Sequence, residues 1–269
     1  MKLLLAGGDL RARMLAPLLR EEGHEVHTIG LETGDEAGWN PAWADVLVFP
    51  YPFAVRAGLV PTLTGLSLHP EDVLERAAKD AVVLGGKGLY TPDSFVRVRY
   101  GDELDQENAE LSAEAAVYEV MQRSDLALSD MRVLMTGYGL FGRALAKRLK
   151  LFGAEVWIAA RRQEQRLQAA NDGMHPLCMD EMPLAAAGAD MLLNTVPAPV
   201  VEERTLQALG AGKWILELAS APYGFDREMA KAMGLLCDVL PGLPARYAPR
   251  SAAHAVKRAI LRALSEAAV

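Results

Sequence analysis

The sequence predicts an α/β protein: two doubly wound parallel-sheet domains joined by a long helix. Three observations carry this. Short apolar runs alternate with stretches of helical spacing along both halves, the pattern of parallel strands covered by helices. Gly137, Gly139 and Gly142 stand between one such run and an amphipathic stretch. Between the halves, an acidic segment passes into an alanine-rich one without strand character. The 269 residues suffice for two ordinary domains, and 51% of them are apolar, ample for two cores.

Residues 3–6 read as the first strand, and 10–22 as a helix stopped by Gly23. Residues 24–29, 45–49 and 81–84 are the next strands. The loops at residues 51–53 and at Pro61 lie at the C-terminal side of the sheet, where ligands of open α/β sheets gather. Residues 101–110 are acidic and lack apolar periodicity, which predicts a solvated linker. A long helix over about 109–124 follows. A strand from Arg132 opens the second sheet, with later strands at 175–178, 191–194, 214–217 and 235–238. A last helix, 251–268, is expected to fold back on the first half. The domains are therefore drawn at 1–108 (plus 251–269) and 109–250. The first is flavodoxin-like and the second a Rossmann domain.

The glycine turn carries the most chemistry. It has G-x-G-x-x-G spacing, follows a strand, opens a helix and reaches a second strand, the context a dinucleotide site requires. Gly137 permits the tight turn, Gly139 lets a pyrophosphate approach the backbone, and Gly142 lets helix and strand pack closely. Leu140 and Phe141 lie at the helix N-terminus, whose N–H groups and dipole favour phosphate. The second strand ends at Arg161 and Arg162, where an NAD site carries an acid that bonds the ribose 2′-OH. Guanidinium groups can instead pair with a 2′-phosphate, so NADP is expected, with NAD as the alternative. Asn194, Thr195, Val196 and Pro197 leave a later strand and are expected beside the nicotinamide; Ser220 belongs to the next such loop. A third loop, 241–250, would complete one rim. Ordinary turns rich in Pro, Gly and Ser are the alternative reading for all three.

Bulk properties exclude other classes. A net charge of −7 argues against a nucleic-acid surface. The N-terminal KLLLAGG run is too short for a signal peptide or a membrane span, so a soluble cytoplasmic chain is expected. Cys178 and Cys237 are expected to be buried, reduced thiols. The five histidines are scattered without zinc-ligand spacing, so no metal is expected.

In the first half, Gly7-Gly8-Asp9-Leu10-Arg11 repeats the strand–turn–helix layout without the third glycine. It could hold an anion through Arg11 and helix amides, or simply be a helix capped by Asp9 with a solvated Arg11. Lys87 is a further cation at a strand end, with solvation as its default. Ser112 and Glu114 stand near the start of the long helix, facing either a cleft between the domains or solvent.

Together these pieces resemble the dipicolinate synthase A-subunit family over nearly the whole chain. The resemblance rests on Gly7-Gly8-Asp9-x-Arg11, Ala113-Glu114 after Asn108, GYGLFGRALA with VWIAAR, LLNTVPAPVV, LELASAPYGFD and PGLPARYAPRSAAHAV. Departures fall at 108–115, where the family's proline is missing, Ser112 stands for threonine and Ala115 for glycine, and at Ala245, which replaces a glycine. The resemblance implies NADP-dependent oxidation of a dihydrodipicolinate-type ring acid to dipicolinate, with a flavoprotein-like B subunit, in the mother cell of spore-forming bacteria. A dicarboxylate then asks for cations, with Arg11, Lys87, Arg246 and Arg250 as candidates beside Ser112, and a proton acceptor, Glu114 or His254. A homo-oligomer is expected. The rival readings are an amino-acid or hydroxy-acid dehydrogenase of the same architecture, a non-enzymatic NADP-binding scaffold, and a methyltransferase.

Overall fold

A computed structural model of the chain describes residues 1–35, 39–53, 58–86 and 89–267. They form two compact units, Met1–Asn108 with Pro244–Val269, and Ala109–Leu243. Each is a parallel α/β sheet with helices on both faces.

The first unit runs β1 (Lys2–Ala6), α1 (Leu10–Glu21), β2 (Glu25–Ile29), β3 (Val46–Val48), α2 (Pro70–Glu75), β4 (Val82–Gly85) and β5 (Val96–Arg99). The sheet order is β2-β1-β3-β4-β5, all parallel, the flavodoxin-like order. Strand side chains alternate between faces: Leu3 and Leu5 enter one core with Val46, Val48, Val82 and Leu84, while Leu4 and Ala6 enter the other with Leu47, Phe49 and Val83. Strand β5 is absent from the sequence reading. It is an edge strand, mostly exposed, with two arginines, so it lacks the apolar run that marks its neighbours.

The expected linker at 101–110 is instead the start of a helix, α3 (Asp102–Gln122). Asp102, Glu103 and Asp105 fall in its first turn, where the dipole favours negative charge. Leu104 is buried in the first unit's core, and Glu103 and Glu107 pair with Arg262 and Arg258. Farther along, Ala113, Ala116, Val117 and Val120 form a helical stripe in the second unit's core.

The second unit continues with β6 (Arg132–Thr136), α4 (Leu140–Leu151), β7 (Glu155–Ala159), α5 (Gln163–Asn171) and β8 (His175–Leu177). Then come α6 (Met182–Ala186), β9 (Met191–Asn194), α7 (Glu203–Leu209), β10 (Trp214–Glu217), α8 (Arg227–Ala232) and β11 (Leu236–Val239). Its order, β11-β10-β9-β6-β7-β8, is that of the Rossmann sheet, with the switch point between β6 and β9. Val133, Met135, Met191, Leu193 and Leu216 face one core; Leu134, Leu192 and Ile215 face the other.

The stretch expected as a third rim loop is largely helical: α9 (Leu243–Tyr247) and then α10 (Pro249–Glu266). Pro249 at the first helical turn starts α10 ahead of the expected Ser251. From Pro244 onward the chain belongs to the first unit, where Ala253, Val256 and Ile260 of α10 pack with Leu15, Ala16 and Leu19 of α1.

Candidate functional site

The glycine turn sits at the second unit's switch point, between the ends of β6 and β9. Gly137 has φ +83°, and a Cβ there would lie 2.7 Å from Val196 Cγ2 and 2.9 Å from Thr195 Oγ1. A Cβ on Gly142 would lie 2.7 Å from the carbonyl oxygen of Gly137. These two positions let the turn close against the loop after β9. A Cβ on Gly139, by contrast, would meet no atom within 4 Å. Gly139 is the N-cap of α4 and brings no side chain to it. The first intrahelical bond runs from Arg143 N to Gly139 O (2.8 Å), so the N–H groups of Leu140, Phe141 and Gly142 precede the helical ladder. Tyr138 anchors the turn from below: its ring is buried and its hydroxyl donates to Asp172 (2.9 Å), which also accepts from Arg143 Nε (2.8 Å).

A groove of about 480 Å³ opens at this point. It brings together most of the residues expected to bind the cofactor: Gly137, Gly139, Leu140, Phe141, Gly142, Arg161, Arg162, Thr195, Val196 and Pro197. Gln165, Met179, Ala198 and Val200 also line it, and the sequence reading missed them. Arg161 and Arg162 are exposed at the end of β7. The residues fit a dinucleotide: small residues where the backbone must be approached, uncapped amides at a helix N-terminus, and cations at the far end.

Asn194 and Ser220 do not line the groove. Ser220 is exposed on the loop after β10. Asn194 is fully buried, and its amide is spent internally. Nδ2 donates to Val196 O (2.9 Å) and to Glu217 Oε1 (2.6 Å). Oδ1 accepts from Val196 N (3.2 Å) and from the Thr136 hydroxyl. The sheet register explains the cluster: Thr136 pairs with Asn194 across β6 and β9, and Asn194 with Glu217 across β9 and β10. One row of polar residues thus ends the three central strands.

Glu217, which the sequence reading treated only as a strand residue, is the centre of this row. It is 0% exposed and accepts three N–H groups, from Asn194, from Ala219 N (3.0 Å) and from Gly224 N (2.7 Å). Burial pushes its carboxyl above the usual range, against the pull of these donors. Gly224 has to be glycine, because a Cβ there would lie 2.3 Å from Asn194 Nδ2. The Gly224 carbonyl in turn accepts from Val200 N (3.0 Å) and Val201 N (2.8 Å), which ties the loop after β10 to the loop after β9. A charged residue inside the apolar run WILELA was the available signal.

In the first unit the corresponding turn is closed. Asp9 caps α1, accepting from Arg11 N (2.9 Å). Its carboxylate also takes the Arg11 guanidinium through Nε (3.0 and 3.1 Å) and Nη2 (2.6 Å), and Arg11 Nη1 donates to Asn108 Oδ1 (3.2 Å). Arg11 is 6% exposed and paired with Asp9, so of the two readings the solvated arginine does not hold, and the cation proposed for an anion is already taken by a carboxylate of the chain. The cavity it shares with Tyr51, Tyr100 and Pro50 is about 20 Å³, room for one water. Tyr51 donates its hydroxyl to Asp105 (2.5 Å).

The remaining candidates lie on other elements. Lys87 lies outside the described residues. Ser112 is half-buried on α3, and Glu114 is exposed there with Oε1 3.8 Å from Arg148 Nη2. Neither lines the groove. His254 is half-buried on α10. Arg246 and Arg250 are exposed, on α9 and the first turn of α10 rather than on a loop, with Arg246 stacked 5.4 Å from the Tyr247 ring centroid. Neither cysteine is buried as expected: Cys178 is exposed, because it caps a short turn following an edge strand, and Cys237 is half-buried; both are free thiols.

Residues 127–216 match the model of the acetohydroxy acid isomeroreductase NADPH-binding domain. The chain is similar over its full length to the dipicolinate synthase A-subunit of Bacillus subtilis (strain 168), at 23% identity over 99% of this chain and 96% of that one. The crystal structure of the dipicolinate synthase A-subunit from Bacillus halodurans superposes with a TM-score of 0.84 at 23% identity, covering 98% and 97% of the two chains. A transhydrogenase from Sinorhizobium meliloti shares the fold at a TM-score of 0.66 and 15% identity, covering 99% and 93%. These likenesses establish the two-domain α/β fold.

Proposed function

We propose that this chain is an NADP-dependent oxidoreductase that oxidises a dihydrodipicolinate-type dicarboxylate to dipicolinate, working with a flavoprotein-like B subunit. The observation that carries the cofactor is the groove itself: an uncapped helix N-terminus beneath Gly139, with two exposed arginines at the end of β7. The full-length likeness to the A-subunit of dipicolinate synthase supports the substrate. The NADPH-binding domain match supports NADP over NAD.

When bound, NADP supplies the hydride acceptor; oxidation of the ring also releases one proton. The chain's part is to bind, orient and exclude water. Amides at Leu140, Phe141 and Gly142 hold the pyrophosphate, and Arg161 and Arg162 hold the 2′-phosphate. The loop at Thr195, Val196 and Pro197 positions the nicotinamide, and the buried Asn194 fixes that loop through Val196. Arg246 and Arg250 are the exposed cations proposed for the two carboxylates. Arg11 needs Asp9 to release it before it can join them. His254 is the preferred proton acceptor, because the Glu114 carboxylate already faces Arg148.

The test is turnover of a dihydrodipicolinate-type substrate with NADP, with and without the B-subunit partner. Formation of dipicolinate with stoichiometric NADPH is the expected result. NADP binding without dipicolinate formation in either mixture would reduce the chain to a scaffold or to a dehydrogenase of another acid. Alanine at Arg246 and Arg250 should raise the substrate KM before it alters NADP affinity. Equal loss of both affinities would contradict a carboxylate role.

A further inference from the structure

We propose that Glu217 is a positioning residue that also sets the charge preference of the groove, favouring oxidised over reduced cofactor at the Val196 end. The inference rests on reading the groove as an NADP site. Its grounds are the surroundings of the carboxylate. Glu217 is fully buried, and the contacts described above are all uncharged N–H donors: the Asn194 amide and the backbones of Ala219 and Gly224. Such a donor set suits an anion, and a buried anion without a counter-ion is costly to keep. If packing were its only task, a neutral side chain of the same shape would cost less.

Its position shows what the charge can act on. Glu217 Oε1 lies 2.6 Å from Asn194 Nδ2, and the same nitrogen donates (2.9 Å) to the backbone oxygen of Val196, a residue that lines the groove. The carboxylate is therefore separated by one amide group from a residue that lines the groove. A charge at that depth, screened by protein rather than by water, reaches the groove with an interaction well above its value in bulk solvent. Oxidised nicotinamide carries a positive ring and reduced nicotinamide a neutral one. A negative charge at that depth, favoured by the three N–H donors against the burial that raises this carboxyl, would stabilise NADP⁺ selectively. The same carboxylate holds the loop after β10 through Gly224, and Gly224 holds the loop after β9. One residue therefore sets both the shape and the field of this end of the site.

The experiment is a pair of titrations of the full chain, NADP⁺ by calorimetry and NADPH by fluorescence, on the wild type and Glu217→Gln, with circular dichroism as the folding control. The wild type should bind NADP⁺ at least as tightly as NADPH. The substitution should raise the ratio Kd(NADP⁺)/Kd(NADPH) about tenfold, the order a single charge at this depth supplies. A purely structural role would weaken both nucleotides together and leave the ratio unmoved; that result overturns the inference while leaving the groove an NADP site. If the variant does not fold, the wild-type ratio decides, and a wild type that prefers NADPH tenfold or more overturns it. Binding of neither nucleotide to the wild type would remove the function proposed above, and this inference with it.

Discussion

The protein contains the same local motif twice, a strand, a glycine turn and a helix, and the two copies end up with opposite properties. In the second unit the turn leaves the N-terminus of α4 uncapped by any side chain, and Gly139 faces open space. In the first, Asp9 caps α1 and folds onto Arg11, and a Cβ on Gly8 would lie 2.4 Å from Ala12 Cβ. A helix N-terminus attracts one anion. Where the chain supplies that anion, as at Asp9, the end is satisfied from within and a cavity of about 20 Å³ remains. Where it supplies glycine, the end is left to a ligand, above a groove of about 480 Å³. The residue at the cap, more than the glycine count, separates a structural turn from a binding turn.

The comparison can be broken by exchanging the caps. Gly139→Asp installs the first unit's arrangement in the second. Its backbone (φ −83°, ψ −168°) suits any residue, and its Cβ meets nothing. NADP affinity should fall about 100-fold, near 2.7 kcal/mol, while the melting temperature holds or rises because the helix gains a cap. Retained affinity would show that the groove does not bind phosphate through α4. Arg161→Ala with Arg162→Ala addresses the other end of the groove. By calorimetry it should weaken NADP by about thirtyfold, roughly 2 kcal/mol, and leave NAD nearly unaffected; parallel loss of both would deny the arginines a 2′-phosphate. Asp9→Ala is the reverse exchange. It uncaps α1 and leaves Arg11 buried without its carboxylate, so denaturant unfolding should report a loss of about 1–2 kcal/mol. It should create no nucleotide site, since the turn still lacks room. The smallest effect belongs to Arg258→Ala, which breaks a surface pair with Glu107 on α3. That should cost less than about 1 kcal/mol; a larger loss in urea titration would mean that the acidic start of α3 depends on the pairing rather than on Leu104 and the dipole.

The contrast also shows what the sequence discloses. The glycine spacing and Arg161 and Arg162 were legible because backbone approach and anion pairing restrict residue type at short range. The alternating cores were legible because strands such as β1 and β9 are apolar on both faces. Three features were hidden by tertiary context. The acidic residues from Asp102 to Glu110 carry only Leu104 and Ala109 as buried apolar groups, so local pattern suggested a solvated linker where core packing and the helix dipole make a helix. Strand β5 is held by pairing with β4 rather than by its own hydrophobicity. Asn194 reads as a ligand-facing polar residue in sequence. Only the register of β6, β9 and β10 shows that it is turned inward between Thr136 and Glu217.

Cofactor binding depends most on the open cap of α4. Calorimetric titration of the intact chain with NADP⁺ and with NAD⁺ tests it directly. One site per chain is expected, at least about tenfold tighter for NADP⁺, a difference of about 1.4 kcal/mol. No heat from either nucleotide up to millimolar concentration would contradict the account; tighter binding of NAD⁺ would contradict the role given to Arg161 and Arg162.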